Sequence, residues 1–138
     1  MTTHHGTMGQ TGFIERNSLW REEDMEVADR VRHLVVEKQT EMIRLSFADQ
    51  HGILRGKSIA VGELDQAFSG GCAMTTNLLF KDTAHRTVYA VWEPGAGVGR
   101  DEFSGARDFI MVPDPATFHV LPWADKTGWM MCDIYHSD

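Results

Sequence analysis

The spacing of apolar residues changes abruptly at Met42, and this change constrains the fold more than any other feature of the sequence. Between the acidic residues 22–24 and Met42, apolar side chains recur at helical intervals: Val27, Val31, Leu34 and Val35. After it, apolar and polar residues alternate one by one as far as Ala48. The first pattern predicts a helix that ends near Gln39, and the second predicts a half-buried strand.

A hairpin and further short elements follow from the same reasoning. Asp49-Gln50-His51-Gly52 is typical of a turn with a left-handed glycine, so residues 53–61 return as a second strand. A short helix is predicted over 62–71, an apolar stretch over 72–80, and strands over 87–92, 108–112 and 128–135. This order predicts an α+β fold, with a mixed sheet of about five strands and helices packed on one face.

Length and charge limit the classes of function. The 138 residues fit one domain, and no stretch has the length of a membrane span or the pattern of a signal peptide. A net charge of −7 without a basic stripe argues against nucleic-acid binding. Cys72 and Cys132 are the only cysteines, and in a chain of cytoplasmic character they favour two buried thiols over a disulfide.

Two segments lack a regular pattern. Residues 1–20 are polar and rich in glycine and threonine, so we expect a flexible tail, or one ordered by a partner, ahead of a folded domain over 21–138. His4 and His5 in that tail are expected to be solvated. Residues 81–106 combine one strand candidate with a Gly-rich loop, and long loops of this kind are usually functional or disordered.

The segment "PDPATFHVLPW", residues 113–123, joins two apolar strands. Pro113 and Pro115 restrict the backbone, while Asp114 offers an acceptor for amide groups inside the turn. Trp123 offers a large face for burial. Taken alone, these residues predict a stiff structural connection.

Two stretches together resemble a known family. "IRLSFADQHGILRGKSI" followed by "DFIMVPDPATFHVLPWADKTGWMMCDIYHSD" is similar to the N-terminal β-grasp domain of the glutamine synthetase family. The resemblance covers residues 42–138 and is most specific in its second half. The "FDGSS" loop typical of glutamine synthetases is absent, and "NLLFKDTAHRTVYAVWEPGAGVG" stands in its place. In this respect the chain resembles divergent members that join glutamate to other amines, such as polyamines or anilines.

The resemblance implies an ATP-dependent ligase. In this family ATP phosphorylates the glutamate side chain and an amine attacks the acyl phosphate, with Mg²⁺ or Mn²⁺ offsetting charge. The chain shows no Glu/His metal cluster, and "PGAGVG" at 94–99 lacks the surroundings of a nucleotide loop. We therefore expect ATP and metal to bind a catalytic domain outside this chain, and the chain alone to be inactive.

The family's N-terminal domain forms one wall of a site completed by the catalytic domain of a neighbouring subunit in a ring. Its mid-domain loop carries an aspartate that binds the incoming ammonium and takes its proton. By position, the resemblance suggests Asp82 for this catalytic role, with Lys81, His85 and Arg86 binding substrate in the same loop. An ordinary turn acid paired with Lys81 or Arg86 explains Asp82 equally well. Trp92 fits a loop anchor or, more simply, core packing.

Two functions of other classes stay open beside the ligase. One is a free-standing β-grasp module that recruits a partner chain by a strand edge. Such a module normally ends in a polar tail, whereas "CDIYHSD" directly continues a strand. The other is a small hydrolase using Asp82 and His85, although it lacks a nucleophile elbow or paired carboxylates. His51 and His119 have no metal-binding partner at useful spacing.

Overall fold

The computed structural model describes residues 11–86 and 108–137. It contains three α-helices: α1 (Phe13–Arg16), α2 (Glu22–Glu37) and α3 (Leu64–Gly70). It contains six strands: β1 (Met42–Ala48), β2 (Leu54–Ala60), β3 (Cys72–Thr75), β4 (Asp108–Pro113), β5 (His119–Val120) and β6 (Thr127–His136). Short 3-10 helices occupy Val61–Glu63, Thr76–Phe80 and Pro115–Thr117.

The strands form one mixed sheet in the order β2-β1-β6-β4-β3, with β5 paired to β6. β1 runs antiparallel to β2 and parallel to β6, and the other pairs are antiparallel. The parallel pair places Leu45 opposite Met130, so the two longest runs of alternating residues present their apolar sides together. The predicted α+β class and mixed sheet are confirmed. The short strand β5 was not predicted, because a strand of only two residues is too short to show alternation.

The core lies on the face that these alternating positions share. Ile43 and Leu45 from β1 and Met111 and Met130 from β4 and β6 are fully buried there. Helices α2 and α3 cover this face with a further set of buried residues: Ala28, Val31, Val35, Leu64, Ala67 and Phe68. The helical stripe and the strand alternation read from the sequence therefore meet in a single core.

The hairpin forms as predicted. Gly52 has the left-handed φ of 74° that the turn requires, and β1 pairs with β2 from Met42 opposite Ala60 to Ala48 opposite Leu54. Gly56 on β2 has a different role, because a Cβ there would lie 1.8 Å from the carbonyl oxygen of Leu45. The hairpin therefore depends on one glycine for its turn and on another for close approach of its strands.

The N-terminal segment differs from the prediction. Residues 13–16 form a helix, Ile14 is buried, and the Trp20 indole nitrogen donates to the Pro113 carbonyl at 3.2 Å. Trp20 also packs edge-on against Phe68, with ring centroids 5.2 Å apart. The flexible tail expected over 1–20 is therefore wrong for residues 11–20, because Ile14 and Trp20 find apolar partners distant in sequence. Residues 1–10 and the predicted strand at 87–92 lie outside the described residues.

Candidate functional site

Asp82 organises a tight turn over residues 81–86. Its Oδ1 accepts hydrogen bonds from the amides of Ala84 and Arg86, both at 2.9 Å. Its own amide donates to the Arg86 carbonyl at 2.8 Å, and the His85 amide donates to the Asp82 carbonyl at 3.0 Å. An aspartate followed by residues that donate back to it is a common way to close a turn. The carboxylate is thus held in one orientation by the backbone around it.

The same contacts determine the charge of Asp82. The hydrogen bond from the Arg86 amide, helped by the Ala84 amide and the Arg86 guanidinium, outweighs desolvation and holds the pKa of Asp82 below its ordinary value of 3.8. Arg86 Nε lies 3.2 Å from Asp82 Oδ2, but the Arg86 side chain is 81% exposed. An anion of lowered pKa is a good partner for an ammonium group and a weak base. This carboxylate is better suited to hold a cation than to remove its proton.

The turn brings all four predicted site residues together. Lys81 Nζ lies 3.5 Å from the His85 carbonyl, and His85 adopts a left-handed φ of 62°. These contacts, with the Arg86 pair, are those expected of an ordinary turn acid. The catalytic role of Asp82 and the substrate-binding roles of the other three stay predictions.

A buried ion pair next to this turn was not predicted from the sequence. Asp49, in the hairpin turn, lies 2.7 Å from Arg55 Nε, and their side chains are 0% and 8% exposed. Asp49 Oδ1 also accepts from the amides of His51 and Ile53, at 2.8 and 2.9 Å. Arg55 Nη1 in turn lies 3.2 Å from His85 Nδ1. The sequence signal that could have indicated this pair is an Asp in the turn followed by an Arg on the returning strand.

Asp49 is ionised in this setting. Burial opposes ionisation, but the hydrogen bonds from Arg55 and the two amides outweigh it and lower the pKa of Asp49. Buried charges are tolerated in proteins when they are paired in this way. The pair therefore connects the hairpin to the base of the 81–86 turn.

The segment 113–123, predicted to be a stiff structural connection, agrees with that prediction at Asp114 but not at Trp123. Asp114 Oδ1 accepts the Ala116 amide at 3.1 Å, as predicted, and its carbonyl accepts the Thr117 hydroxyl at 2.7 Å. Trp123 differs from the prediction, because it is 75% exposed rather than buried. Leu121, two residues earlier, faces the interior instead. Trp92 lies outside the described residues.

The remaining candidates have structural partners. His119 Nδ1 lies 2.6 Å from the Thr117 carbonyl, and His51 contributes its amide to Asp49. Cys72 and Cys132 are buried free thiols, as predicted. Burial raises the pKa of both, that of Cys132 to about 12 with a contribution from nearby Cys72, so neither is an activated nucleophile.

A groove of about 620 Å³ lies between the three helices. Its lining includes Trp20, Phe68, Met25 and Arg32. The Arg32 guanidinium lies 5.2 Å from the Phe68 ring centroid and pairs with Asp29 and Asp65. None of the predicted site residues lines this groove.

Across residues 11–86 and 108–137, no three His, Cys, Asp or Glu side chains are grouped to hold a metal ion. Within the same residues, no helix has both the length and the apolar character needed to cross a membrane.

Comparison with known proteins gives consistent matches. The chain is 44% identical over 126 residues to a gamma-glutamylanilide synthase from Acinetobacter sp., covering 89% of this chain and 25% of that protein. It is 28% identical over 120 residues to a glutamate–isopropylamine ligase from Pseudomonas sp., covering 83% of this chain and 24% of that protein. The chain thus spans about a quarter of the length of these curated relatives. No family model matches the chain.

A solved structure shares the fold. The ligand-free form of GmaS superposes on 76% of this chain and 20% of its own, with a TM-score of 0.54 and 21% sequence identity. At this identity the likeness concerns the arrangement of helices and strands alone.

Proposed function

Because this chain belongs to the glutamine synthetase-like family, we propose that it is the N-terminal domain of an ATP-dependent ligase that joins the side-chain carboxylate of glutamate to an amine. The observation that carries this proposal is the 44% identity over 126 residues to a gamma-glutamylanilide synthase. The glutamate–isopropylamine ligase matches over a similar stretch, which supports testing organic amines beside ammonia as substrates. We place the protein in the cytoplasm, where ATP and glutamate are available.

In this proposal the chain supplies the amine-side wall of a site completed by the catalytic domain of a neighbouring subunit. ATP would bind that catalytic domain and would supply the phosphoryl group for an acyl phosphate, leaving ADP, while a divalent metal held there would offset the phosphate charge. The described residues of this chain offer no metal-binding cluster of their own. Its contribution is Asp82, whose ionised carboxylate attracts a cationic amine and orients it by hydrogen bonding, with Lys81, His85 and Arg86 around it.

The first experiment uses the intact gene. We expect the reading frame to continue past the Asp138 codon, and the whole product to form a γ-glutamyl amide that mass spectrometry detects. The amines tested are ammonia, isopropylamine, a polyamine and aniline, with glutamate and ATP in each reaction. The 138-residue chain alone, assayed in parallel, is expected to show no turnover. A stop codon directly after Asp138, or no product from any amine, contradicts the proposal and favours the free-standing β-grasp interaction module.

The Asp82 role has its own test, because aromatic amines are uncharged near neutral pH whereas alkylamines are cations. Asp82→Asn removes the negative charge and is expected to raise the KM for isopropylamine about tenfold, while the KM for aniline changes about twofold or less. Asp125→Asn, an exposed acid in the turn before β6, is the matched control. Equal effects of Asp82→Asn on both amines contradict a charge-based role for this residue.

A further inference from the structure

One guanidinium group joins two separate elements beneath the candidate site. Arg55 stands at the start of β2, and its side chain is 8% exposed. Its Nε donates to Asp49 of the hairpin turn at 2.7 Å, and its Nη1 lies 3.2 Å from His85 Nδ1 in the 81–86 turn. A planar guanidinium can satisfy two partners in fixed directions at once, which a lysine ammonium on its flexible stem does less well.

The direction of the hydrogen bond to His85 follows from chemistry. Arginine has donors and no acceptor, so His85 Nδ1 must be the acceptor and carries no proton. The neutral ring therefore bears its proton on Nε2. A protonated imidazole would lose the acceptor and place two cations 3.2 Å apart. Arg55 consequently selects one tautomer of His85 and one orientation of its ring.

His85 transmits this constraint to Asp82. Its backbone has a left-handed φ of 62°, a conformation uncommon for residues other than glycine, and its amide donates to the Asp82 carbonyl at 3.0 Å. Lys81 Nζ lies 3.5 Å from the His85 carbonyl oxygen. The ring contact with Arg55 joins this turn to the hairpin, which is otherwise distant in sequence.

The Asp49 end of the contact between the hairpin and the 81–86 turn is held by several hydrogen bonds. Asp49 is fully buried and accepts three hydrogen bonds, from the His51 and Ile53 amides and from Arg55. Arg55 Nη2 is also buried, without a hydrogen-bond partner in the described part of the chain. The guanidinium therefore has little freedom to move away from His85.

We propose that Arg55 is a positioning residue, held by Asp49, which fixes His85 and through it the turn that presents Asp82. This inference rests on the proposed function only for the consequence that the turn serves the amine site. The positioning itself is a property of the 138-residue chain and is tested there.

The structural test uses NMR on three variants of the chain. Arg55→Lys keeps a cation for Asp49 but cannot reach both partners, and His85→Ala removes the acceptor while leaving the buried pair intact. Each is expected to raise the hydrogen-exchange rate of the Ala84 and Arg86 amides about tenfold, and the double variant no further, because one shared contact is lost. Arg44→Lys, on the exposed face of β1, is the control and should leave these rates unchanged.

The ring nitrogens give a readout that general destabilisation does not move. In the unmodified chain, the ¹⁵N spectrum of His85 should show the Nε2-protonated tautomer, and Arg55→Lys should bring both tautomers into exchange. A single unchanged tautomer in Arg55→Lys overturns the proposal. Additive effects of the two substitutions on amide exchange also overturn it. His85→Ala keeps the test decisive even if Arg55→Lys fails to fold.

The functional consequence is measured in the intact gene product. Arg55→Lys should raise the KM for a cationic amine about tenfold while the KM values for ATP and glutamate stay within about twofold. If the NMR result is as expected but the amine KM does not change, the turn does not serve the amine site and the proposed role of Asp82 fails. If the NMR result is absent, the positioning role fails whatever the kinetics.

Discussion

At the scale of single residues, three aspartates and one glycine each have a defined structural role. Asp82 and Asp114 each close the turn in which they stand, by accepting amides two residues ahead. Asp49 does the same in the hairpin and in addition pairs with a buried arginine. Gly56 is required because a Cβ at this position would collide with the Leu45 carbonyl oxygen on the neighbouring strand β1. Each of these roles makes a substitution at that position measurable.

Gly56→Ala should destabilise the domain strongly. A Cβ at this position would lie 1.8 Å from the Leu45 carbonyl oxygen, so the paired strands β1 and β2 must move apart. We expect a loss of about 2 kcal/mol or more in the free energy of unfolding, measured by urea denaturation. Gly62→Ala is the matched control, since nothing lies within 4 Å of a Cβ there, and should change stability by about 0.5 kcal/mol or less. Equal effects would contradict the close approach.

Acid should destabilise the chain partly through Asp82. Its pKa is lower in the folded chain than the ordinary value of 3.8, so its contribution to stability is complete above that pH and is lost as the pH falls through the folded-state pKa. Thermal unfolding measured between about pH 6 and pH 2.5 should therefore show a steeper fall in Tm for the unmodified chain than for Asp82→Asn. Parallel curves would show that the carboxylate gains nothing from the contacts of its turn.

At the scale of elements, alternation along the strands determines which side chains enter the core. β1 buries Ile43, Leu45 and Phe47 and exposes or half-exposes the residues between them. Phe47 packs edge-on against Phe109 of β4, with ring centroids 5.2 Å apart. β2, at the edge of the sheet, has one apolar residue in the core, Ile59. A central strand and an edge strand of one hairpin thus differ in what a substitution costs.

Two leucines in this hairpin test that difference. Leu45 on β1 is fully buried and Leu54 on β2 is 53% exposed. Leu45→Ala should lower the free energy of unfolding by about 2–5 kcal/mol, because it removes buried methyl groups and leaves a cavity. Leu54→Ala should cost under about 1 kcal/mol by the same denaturation measurement. A large loss at Leu54 would mean that the edge of β2 is covered in solution.

At the scale of the whole molecule, the two edges of the sheet approach each other, and in residues 11–86 and 108–137 side chains make contacts between them. Lys57 on β2 reaches the Ala73 carbonyl on β3 at 3.4 Å. Arg55 on the same strand contacts His85 at 3.2 Å. Both contacts come from the returning strand of the hairpin. The candidate site therefore lies where the sheet comes closest to closing.

The exposed apolar residues are also a property of the whole molecule. Trp123 is 75% exposed, and Val120 and Ile134 are 37% and 39% exposed. If this domain packs against a neighbouring subunit, some of these residues are covered in the assembled protein. Their exposure in the 138-residue chain is therefore a measurable property that the assembly should change.

Trp123→Ala should leave the stability of the isolated chain nearly unchanged, with Tm shifting by about 2 °C or less, because the exposed side chain makes few packing contacts. Trp129→Ala is the comparison: Trp129 is partly buried and donates to Ser46 Oγ at 3.0 Å, so its loss should lower Tm clearly. Acrylamide should quench Trp123 fluorescence strongly in the isolated chain and less in the intact gene product. A large fall in Tm for Trp123→Ala contradicts the exposed position.

The sequence alone determined the features that depend on neighbours along the chain. The helical stripe of α2, the alternation of β1, the left-handed Gly52 and the amide acceptor Asp114 were all predicted, since each follows from local period or local backbone geometry. The motif around Pro113 also carried the family resemblance. These features were enough to predict an α+β domain with a mixed sheet.

Which distant residues meet depends on the tertiary structure. Ile14 and Trp20 are ordered by α3 and by the end of β4, and Trp123 is exposed although its neighbour Leu121 is buried. The contact between Arg55 and His85 spans thirty positions of the sequence. No local pattern encodes such a contact, because burial and pairing depend on how the sheet curves its edges together. That curvature, rather than the order of the residues, brings the Asp49–Arg55 pair against His85.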